Sequence, residues 1–396
     1  MRARLALALA FGLVPLLGSR EGAAEPMDPA LERLVLKPGR NAEGDQLRPC
    51  NNSDPSVARG PYGSYDPNAD LISPEEFEAT GRFPACMPDN RAFKRLINQY
   101  AFALAPTAMH SARTTGFGGF HLSIEANYTT ISNESDYWRK GTQGTRDAIT
   151  NEASIENTSP PGVLQLYSLK FRKGFGFGFE VTGAVGFMPQ TSIVSGGADV
   201  RISLLEGFRK GIGGILPDIA VGSGVRTITG TPQFQLTTMG LDGQISKPFP
   251  LGDSSVLMPW VGYQYLFIWG DSGLIDLTPG TDAIGYCNYA GNAVPPYQKE
   301  VTNSDGDPDG VYDGSPVCAG GQPYDFNNNV VFDPVRLRRH RLLAGANYRY
   351  EMVMVGAQLI MDLVPPADAQ TNAEDKADLE GEARQYSFVF ELGAMF

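Results

Sequence analysis

Apolar and polar residues alternate with a period of two over most of the chain after residue 117. In the last thirteen residues, RQYSFVFELGAMF, six apolar positions share one parity and mostly polar or small residues take the other. Successive strand side chains point to opposite faces, so this pattern predicts β-strands. We count about ten, at 120–129, two between 163 and 187 (turning at 173–174), and at 198–205, 218–229, 234–246, 257–269, 340–350, 352–361 and 384–396.

The connections between these strands alternate between short and long. Short ones lie near 173–174, 209–217, 247–254 and 351, whereas the other series contains 131–161, 188–196, 230–233, 270–335 and 362–384. Short turns on one side and longer loops on the other are typical of a transmembrane barrel with an even number of strands. The pattern therefore predicts an all-β, antiparallel up-and-down barrel over residues 116–396. A secreted β-sandwich would explain neither this alternation nor the terminal aromatic residue.

At this point the chain resembles the bacterial outer-membrane β-barrel proteins, including the porin-like ones. The resemblance covers the strand repeat from 117 to 396, and no narrower subfamily is indicated. It implies that the closing strand carries the signal read by the barrel-assembly machinery, here Tyr386, Phe388, Phe390 and Phe396. It also implies a cell outer-membrane location, in contact with membrane lipid and lipopolysaccharide.

The first 24 residues predict a cleavable signal peptide. Arg2 and Arg4 precede a short apolar run, and small residues follow at 22–24. Residues 25–115 then form a region expected in the periplasm or in the lumen as a plug. Apolar residues at helical spacing predict an amphipathic helix over 89–104, which could plug the periplasmic mouth.

Charge and cysteine content narrow the function classes. The net charge is −12, and about −14 without the signal peptide, which argues against nucleic acid as a partner. Cys50, Cys86, Cys287 and Cys318 fall into two local pairs, most simply two disulfides in an exported chain, although three connectivities are open. None has the CxxC spacing of a zinc site.

The inward parity of the strands carries charges of both signs. These side chains could line a narrow aqueous passage, or they could form salt bridges that close the lumen of a ten-stranded barrel. The candidate pore-lining residues are Glu125, Lys170, Arg172, Glu180, Arg201, Arg226, Arg341, Arg349 and Glu391. On the outward parity, Arg336 and Arg338 are expected at the level of the lipid headgroups, where they could pair with phosphates.

Two motifs could carry chemistry. His121 and Ser123, with Glu125 on the same face, have an H-x-S spacing similar to that of membrane-embedded lipid hydrolases, but their inward parity favours ordinary interior residues, and we expect no enzyme. Asp305, Asp307, Asp309 and Asp313 match four ligand positions of a calcium loop, although Pro316 stands where the bidentate carboxylate belongs. Calcium is the one cofactor that the sequence suggests.

Three functions follow from these patterns. The first is a porin-like passive channel for small solutes, open or plugged. The second is a closed structural or surface-binding barrel that acts through its external loops. The third is a barrel-embedded lipid hydrolase using His121 and Ser123.

Overall fold

The computed structural model describes residues 25–37, 48–49, 87–145, 156–206, 216–276, 298–302, 308–316 and 329–396. The predicted signal peptide and the four cysteines lie outside these residues. None of the helices in the described part of the chain is long and apolar enough to cross a membrane.

Ten antiparallel strands form one closed barrel. They are β1 (Phe120–Thr130), β2 (Val163–Gly174), β3 (Phe179–Phe187), β4 (Val194–Leu205), β5 (Asp218–Thr229), β6 (Phe234–Ser246), β7 (Ser255–Ser272), β8 (Val335–Tyr350), β9 (Val353–Asp362) and β10 (Tyr386–Met395). Each strand pairs with its sequence neighbours, and β10 pairs with β1 from Ser387↔Thr129 to Met395↔His121. Closure leaves no barrel strand with an unpaired edge, which spanning a bilayer requires.

The predicted strands and barrel are confirmed, and one turn differs from the prediction. The hairpin between β2 and β3 turns at residues 175–178, not at 173–174, so the FGFGF run is mostly turn. Phe177 and Gly178 both have positive φ angles, of 61° and 72°, and the Phe177 side chain is fully exposed. Glycines on either side of Phe177 make this tight turn accessible, and they outweigh the alternating pattern.

The outer face of the barrel is apolar. Outward residues such as Ile124, Leu169, Val185 and Phe388 are about half exposed, whereas the residues next to them in sequence point inward and are buried. An apolar outer belt is what lipid contact requires of a transmembrane barrel.

The barrel has two different ends. We refer to the end bearing connections 131–162, 188–193, 230–233, 273–334 and 363–385 as the long-loop end, and to the opposite end as the short-turn end. Three helices belong to the N-terminal region and the loops: α1 (Asn90–Leu104), α2 (Asp136–Lys140) and α3 (Ala373–Asp378). Short strands at Val35–Lys37, Arg48–Pro49 and Met87–Pro88 form a small separate sheet.

Helix α1 lies in the lumen at the long-loop end, which differs from the expected periplasmic mouth. Asn90 at its start contacts Asp333, which lies just before β8. After α1 the chain runs down the lumen and reaches the short-turn end, where Gly118 N–H donates to the carbonyl oxygen of Gly174. The fifteen residues from 105 to 119 can extend over about 50 Å, which is enough to cross a barrel. Helix α1 can therefore lie at the end of the barrel opposite to the first residue of β1, although the two are close in sequence.

Candidate functional site

The long-loop half of the lumen is a dry hydrophobic core. Helix α1 supplies Phe93, Leu96, Ile97 and Tyr100, which are all completely buried. The core also includes buried apolar residues from the N-terminal segment, the loops and the inner face of the strands: Met27, Leu31, Leu34, Trp138, Leu164, Leu166, Phe234, Leu236, Leu266, Ile268, Phe332 and Leu337. A close-packed apolar core of this kind leaves no room for a column of water.

A charged contact holds α1 at the rim of the barrel. The Lys94 ammonium donates hydrogen bonds to the carboxylates of Asp375, at 2.7 Å, and Asp378, at 2.5 Å, both on α3. Burial lowers the pKa of Lys94, but its hydrogen bonds to the two carboxylates outweigh that effect and raise the pKa above its ordinary value. Lys94 therefore stays charged at neutral pH, and α1 is tied to the loop between β9 and β10.

Deeper in the lumen, four side-chain amides of the barrel wall donate hydrogen bonds to backbone carbonyls at the end of α1 and in the segment that follows it. Their carbonyl partners span six residues of chain. The pairs are Asn127 with Ala103 (3.0 Å), Gln264 with Pro106 (3.2 Å), Gln358 with Thr107 (2.8 Å) and Gln244 with Ala108 (2.9 Å). Strands β1, β6, β7 and β9 thus satisfy the polar backbone of a buried, irregular segment, which would otherwise be costly.

Eight of the nine candidate pore-lining residues are buried inside the barrel, and Arg349 is half-buried. Most of them pair with opposite charges: Lys170 with Glu125 (2.6 Å), Arg172 with Glu180 (3.6 Å) and Glu391 (3.8 Å), Arg201 with Asp242 (3.1 Å), and Arg226 with Asp199 (2.7 Å). The guanidinium of Arg341 lies over the ring of Phe102 on α1, with 4.7 Å to the ring centroid. The paired charges are thus neutralised inside the barrel instead of facing open water, whereas Nε and Nη2 of Arg341 lack a hydrogen-bond partner among the described residues.

The N-terminal segment takes part in this network. Thr107 donates to the Glu125 carboxylate at 3.0 Å and accepts from Lys170 at 2.7 Å. The Thr115 N–H donates to Glu180 at 2.8 Å. A small cavity remains beside His110, bounded by Lys170 and Asp242 among others. The segment is thus joined to the wall by polar contacts over the short-turn half of the lumen.

The His-Ser pair does not form a catalytic arrangement. Ser123 donates to Glu391 at 2.7 Å, and Glu125 is engaged by Lys170 and Thr107. Both ring nitrogens of His121 lack a hydrogen-bond partner among the described residues, so His121 does not activate Ser123 as a base. Both side chains are also almost completely buried, away from lipid.

Two of the four calcium candidates lie in a connection of the long-loop end. Asp309 and Asp313 belong to a strand, Pro308–Pro316, that pairs with Gln298–Thr302, while Asp305 and Asp307 lie outside the described residues. Within the described part of the chain, no group of three or more acidic, histidine or cysteine side chains could hold a metal ion. Calcium binding stays a prediction.

The lipid-facing candidates lie on the outer face. Arg336 and Arg338 are exposed near the long-loop end of β8, and Arg336 pairs with Asp271 at 2.8 Å. The aromatic residues of the proposed assembly signal also point outward. Phe396 continues β10, and its N–H donates to the carbonyl oxygen of Phe120 at 2.7 Å. Phosphate binding and recognition by the assembly machinery stay predictions.

Two sets of lumen residues were not predicted from the sequence. The first is the set of inward amides named above, which recur on the polar parity of four strands. The second is the set of apolar residues on that same parity, for example Leu164, Leu236 and Leu266, which are buried in the lumen. An apolar residue on the inner face of a membrane barrel needs an apolar partner inside it. Near the long-loop end, several strands therefore carry apolar residues on the inward as well as the outward parity. This feature of the sequence indicates a hydrophobic plug inside the barrel.

No known family profile and no curated protein matches this chain. Solved structures that resemble it include Ail, the attachment invasion locus protein of Yersinia pestis (9% identity, 71% of this chain and 100% of that one, TM-score 0.22). They also include the outer membrane protein Omp33 of Acinetobacter baumannii (9%, 70% and 97%, TM-score 0.22) and the outer membrane channel DcaP of the same species (7%, 70% and 98%, TM-score 0.15).

At TM-scores this low the likenesses carry no argument, and the assignment rests on the chain's own geometry. Ten antiparallel strands close on themselves, their outer face is an apolar belt, and the three longest connections, 131–162, 273–334 and 363–385, all lie at one end. This combination is the architecture of a ten-stranded transmembrane β-barrel, and no narrower family is shown.

Proposed function

We propose that this protein is a closed barrel that acts at its long-loop face as a surface-binding protein, in preference to a passive channel. The observation that carries the proposal is the filled lumen. A dry core occupies its long-loop half, and the hydrogen-bonded segment 105–115 occupies the rest. Solute passage needs a continuous wet path, and the dry core interrupts it.

The distribution of charge supports a role at the long-loop face. The connections at that end contain 20 acidic and 6 basic residues, whereas those at the short-turn end contain three of each. The connections at the long-loop end therefore carry a net charge of −14 (6 basic minus 20 acidic residues), whereas those at the short-turn end carry none. Such a face attracts cations and basic partners over about 10 Å at moderate salt. The ligand class that we propose is therefore a cationic peptide or protein surface, with calcium as a second candidate.

A plugged channel is the second candidate function. It is favoured because the wall holds the segment 105–115 by noncovalent contacts, which displacement of the segment would break. The wall side chains that make these contacts would then line a polar half of the lumen. In this alternative the charged wall residues would line the passage that opens.

Planar-bilayer recording separates these functions. The refolded mature protein is expected to be silent, and discrete current steps in it would contradict the closed barrel. A variant lacking residues 25–115, accepted only if it keeps the heat-dependent gel mobility of a folded barrel, would conduct if the wall alone can form a pore. Current steps in this variant alone are expected for a closed barrel and for a plugged channel, and they do not separate the two functions. Conduction by the full chain when a ligand or a voltage is applied would favour the plugged channel.

Binding is tested directly with a ten-residue lysine peptide, measured by titration calorimetry on protein in detergent. We expect affinity that falls steeply with added salt and that is strongly reduced when residues 277–328 are replaced by a short glycine-serine linker. The matched control replaces residues 207–215 at the short-turn end, and it should bind as the unaltered protein does. Equal binding by both variants would contradict a role for the long-loop face.

A further inference from the structure

The direction in which the N-terminal region crosses the barrel has a topological consequence. Its first described residues contact three different connections of the long-loop end. Met27 N–H donates to the carbonyl oxygen of Gln190 at 2.9 Å, and Ala30 N–H donates to that of Gly141 at 2.9 Å. The Leu31 N–H donates to the side chain of Gln233 at 3.1 Å. The first described residues therefore lie at the long-loop end.

These contacts are buried and not incidental. Asp28 accepts hydrogen bonds from the backbone and the hydroxyl of Ser192, at 2.6 and 2.8 Å. Tyr100 on α1 donates its hydroxyl hydrogen to the carbonyl oxygen of Met27 at 2.8 Å. Arg33, also buried, donates to the carbonyl oxygen of Thr142 at 3.0 Å. The first residues are thus built into the same core that fills the long-loop half of the lumen.

The chain leaves and returns at this same rim. The strand Val35–Lys37 pairs with Met87–Pro88, with Val35 opposite Pro88 and Leu36 opposite Met87. Residues 38–86 begin and end at these neighbouring points. Below the rim, the lumen is filled by α1 and the segment that follows it, and the described N-terminal residues cross the barrel once, between residues 90 and 119.

We infer that the barrel holds its N-terminal region at the cell-surface side of the outer membrane, because residues 25–35 and 87–88, which stand on either side of residues 38–86, both lie among the connections of the long-loop end. The inference goes beyond the proposed function, because a closed barrel could equally keep its N-terminus in the periplasm. It shares one premise with that function, which is that the long loops face outward, as they do in barrels of this kind. The surface that meets a partner is then formed jointly by the N-terminal segment and the loops.

Antibody labelling of an inserted epitope tag tests this topology in the full chain. The test variant carries the tag between Gly63 and Ser64. One control carries it between Gly291 and Asn292, in the connection between β7 and β8, and the other between Gly213 and Gly214, in a short-turn connection. Heat-dependent gel mobility verifies that each tagged barrel is folded. We expect the tags at Gly63 and Gly291 to be labelled on intact cells, and the tag at Gly213 to be labelled only after permeabilisation.

Two failures have different meanings. If the tag at Gly63 is hidden on intact cells while that at Gly291 is labelled, the displayed N-terminus is refuted and the surface function stands. If Gly213 is labelled on intact cells and Gly291 is not, the barrel is inserted the other way round and both ideas fail. A site for a specific protease at the Gly63 position gives a second readout, since cleavage on intact cells supports display and protection there refutes it.

Discussion

The separate stability of the plug can be tested at Leu96. This side chain lies on the buried face of α1 in the dry core and is completely buried. Replacing it by alanine removes three carbon atoms and leaves a cavity, because the surrounding barrel is rigid. Substitutions of this kind cost about 2–5 kcal/mol. The lipid-facing belt and the strand pairing stay unchanged.

If α1 detaches without unfolding of the barrel, the whole free-energy cost of the substitution lowers the free energy needed to detach α1. At about 1.36 kcal/mol for each factor of ten, the open population of α1 rises roughly 30-fold to 5,000-fold. Amide hydrogen exchange in residues 90–104, measured by mass spectrometry on the refolded protein, should accelerate by that factor, while exchange in the barrel strands should stay the same.

The matched control is Leu169→Ala, which makes the same substitution on the outer face of β2, where the side chain is 45% exposed. It should leave exchange in α1 unchanged. Equal acceleration of α1 and of all ten strands in the Leu96→Ala variant would show that plug and barrel open as one unit, and it would refute the reasoning. No change in α1 would refute the packing argument itself.

Three further outcomes are expected. Asp362→Asn leaves the buried guanidinium of Arg339 without its charged partner, and a loss of about 3–5 kcal/mol should appear as a lower temperature of barrel unfolding on gels. Deletion of Phe396 removes the backbone pairing with Phe120 and should reduce the folded fraction in outer membranes, measured by the same gel shift. Calorimetric titration with Ca²⁺ should show weak binding that the double variant Asp305→Asn, Asp307→Asn abolishes.

Much of the barrel could be predicted from the sequence, because a membrane strand repeats a simple rule along its length. Strands β5 and β6 begin and end where the alternation does, at 218–229 and 234–246. The FGFGF turn could not be placed this way, since glycine allows a tight turn wherever it occurs and the phenylalanines continued the alternating pattern.

The filling of the lumen was harder to predict because it depends on contacts between distant parts of the chain. The inward charges were identified, but the sequence left a wet passage and a closed network equally open. The outcome depended on Leu164, Leu236 and similar inward apolar residues, whose partners on α1 lie 60 to 140 residues away. The location of α1 depended on the extended conformation of residues 105–119, for which periodicity gives no signal.

The pairing of the first and last strands fixes the order in which the molecule can form. Helix α1, together with the buried residues packed around it, is wider than the extended segment that joins it to β1. Once β10 pairs with β1, a continuous hydrogen-bonded wall surrounds the lumen. In a closed barrel, the packed helix would have to pass through the lumen from the short-turn end. We therefore expect the sheet to curl around this segment, so that the pairing of β10 with β1 encloses it.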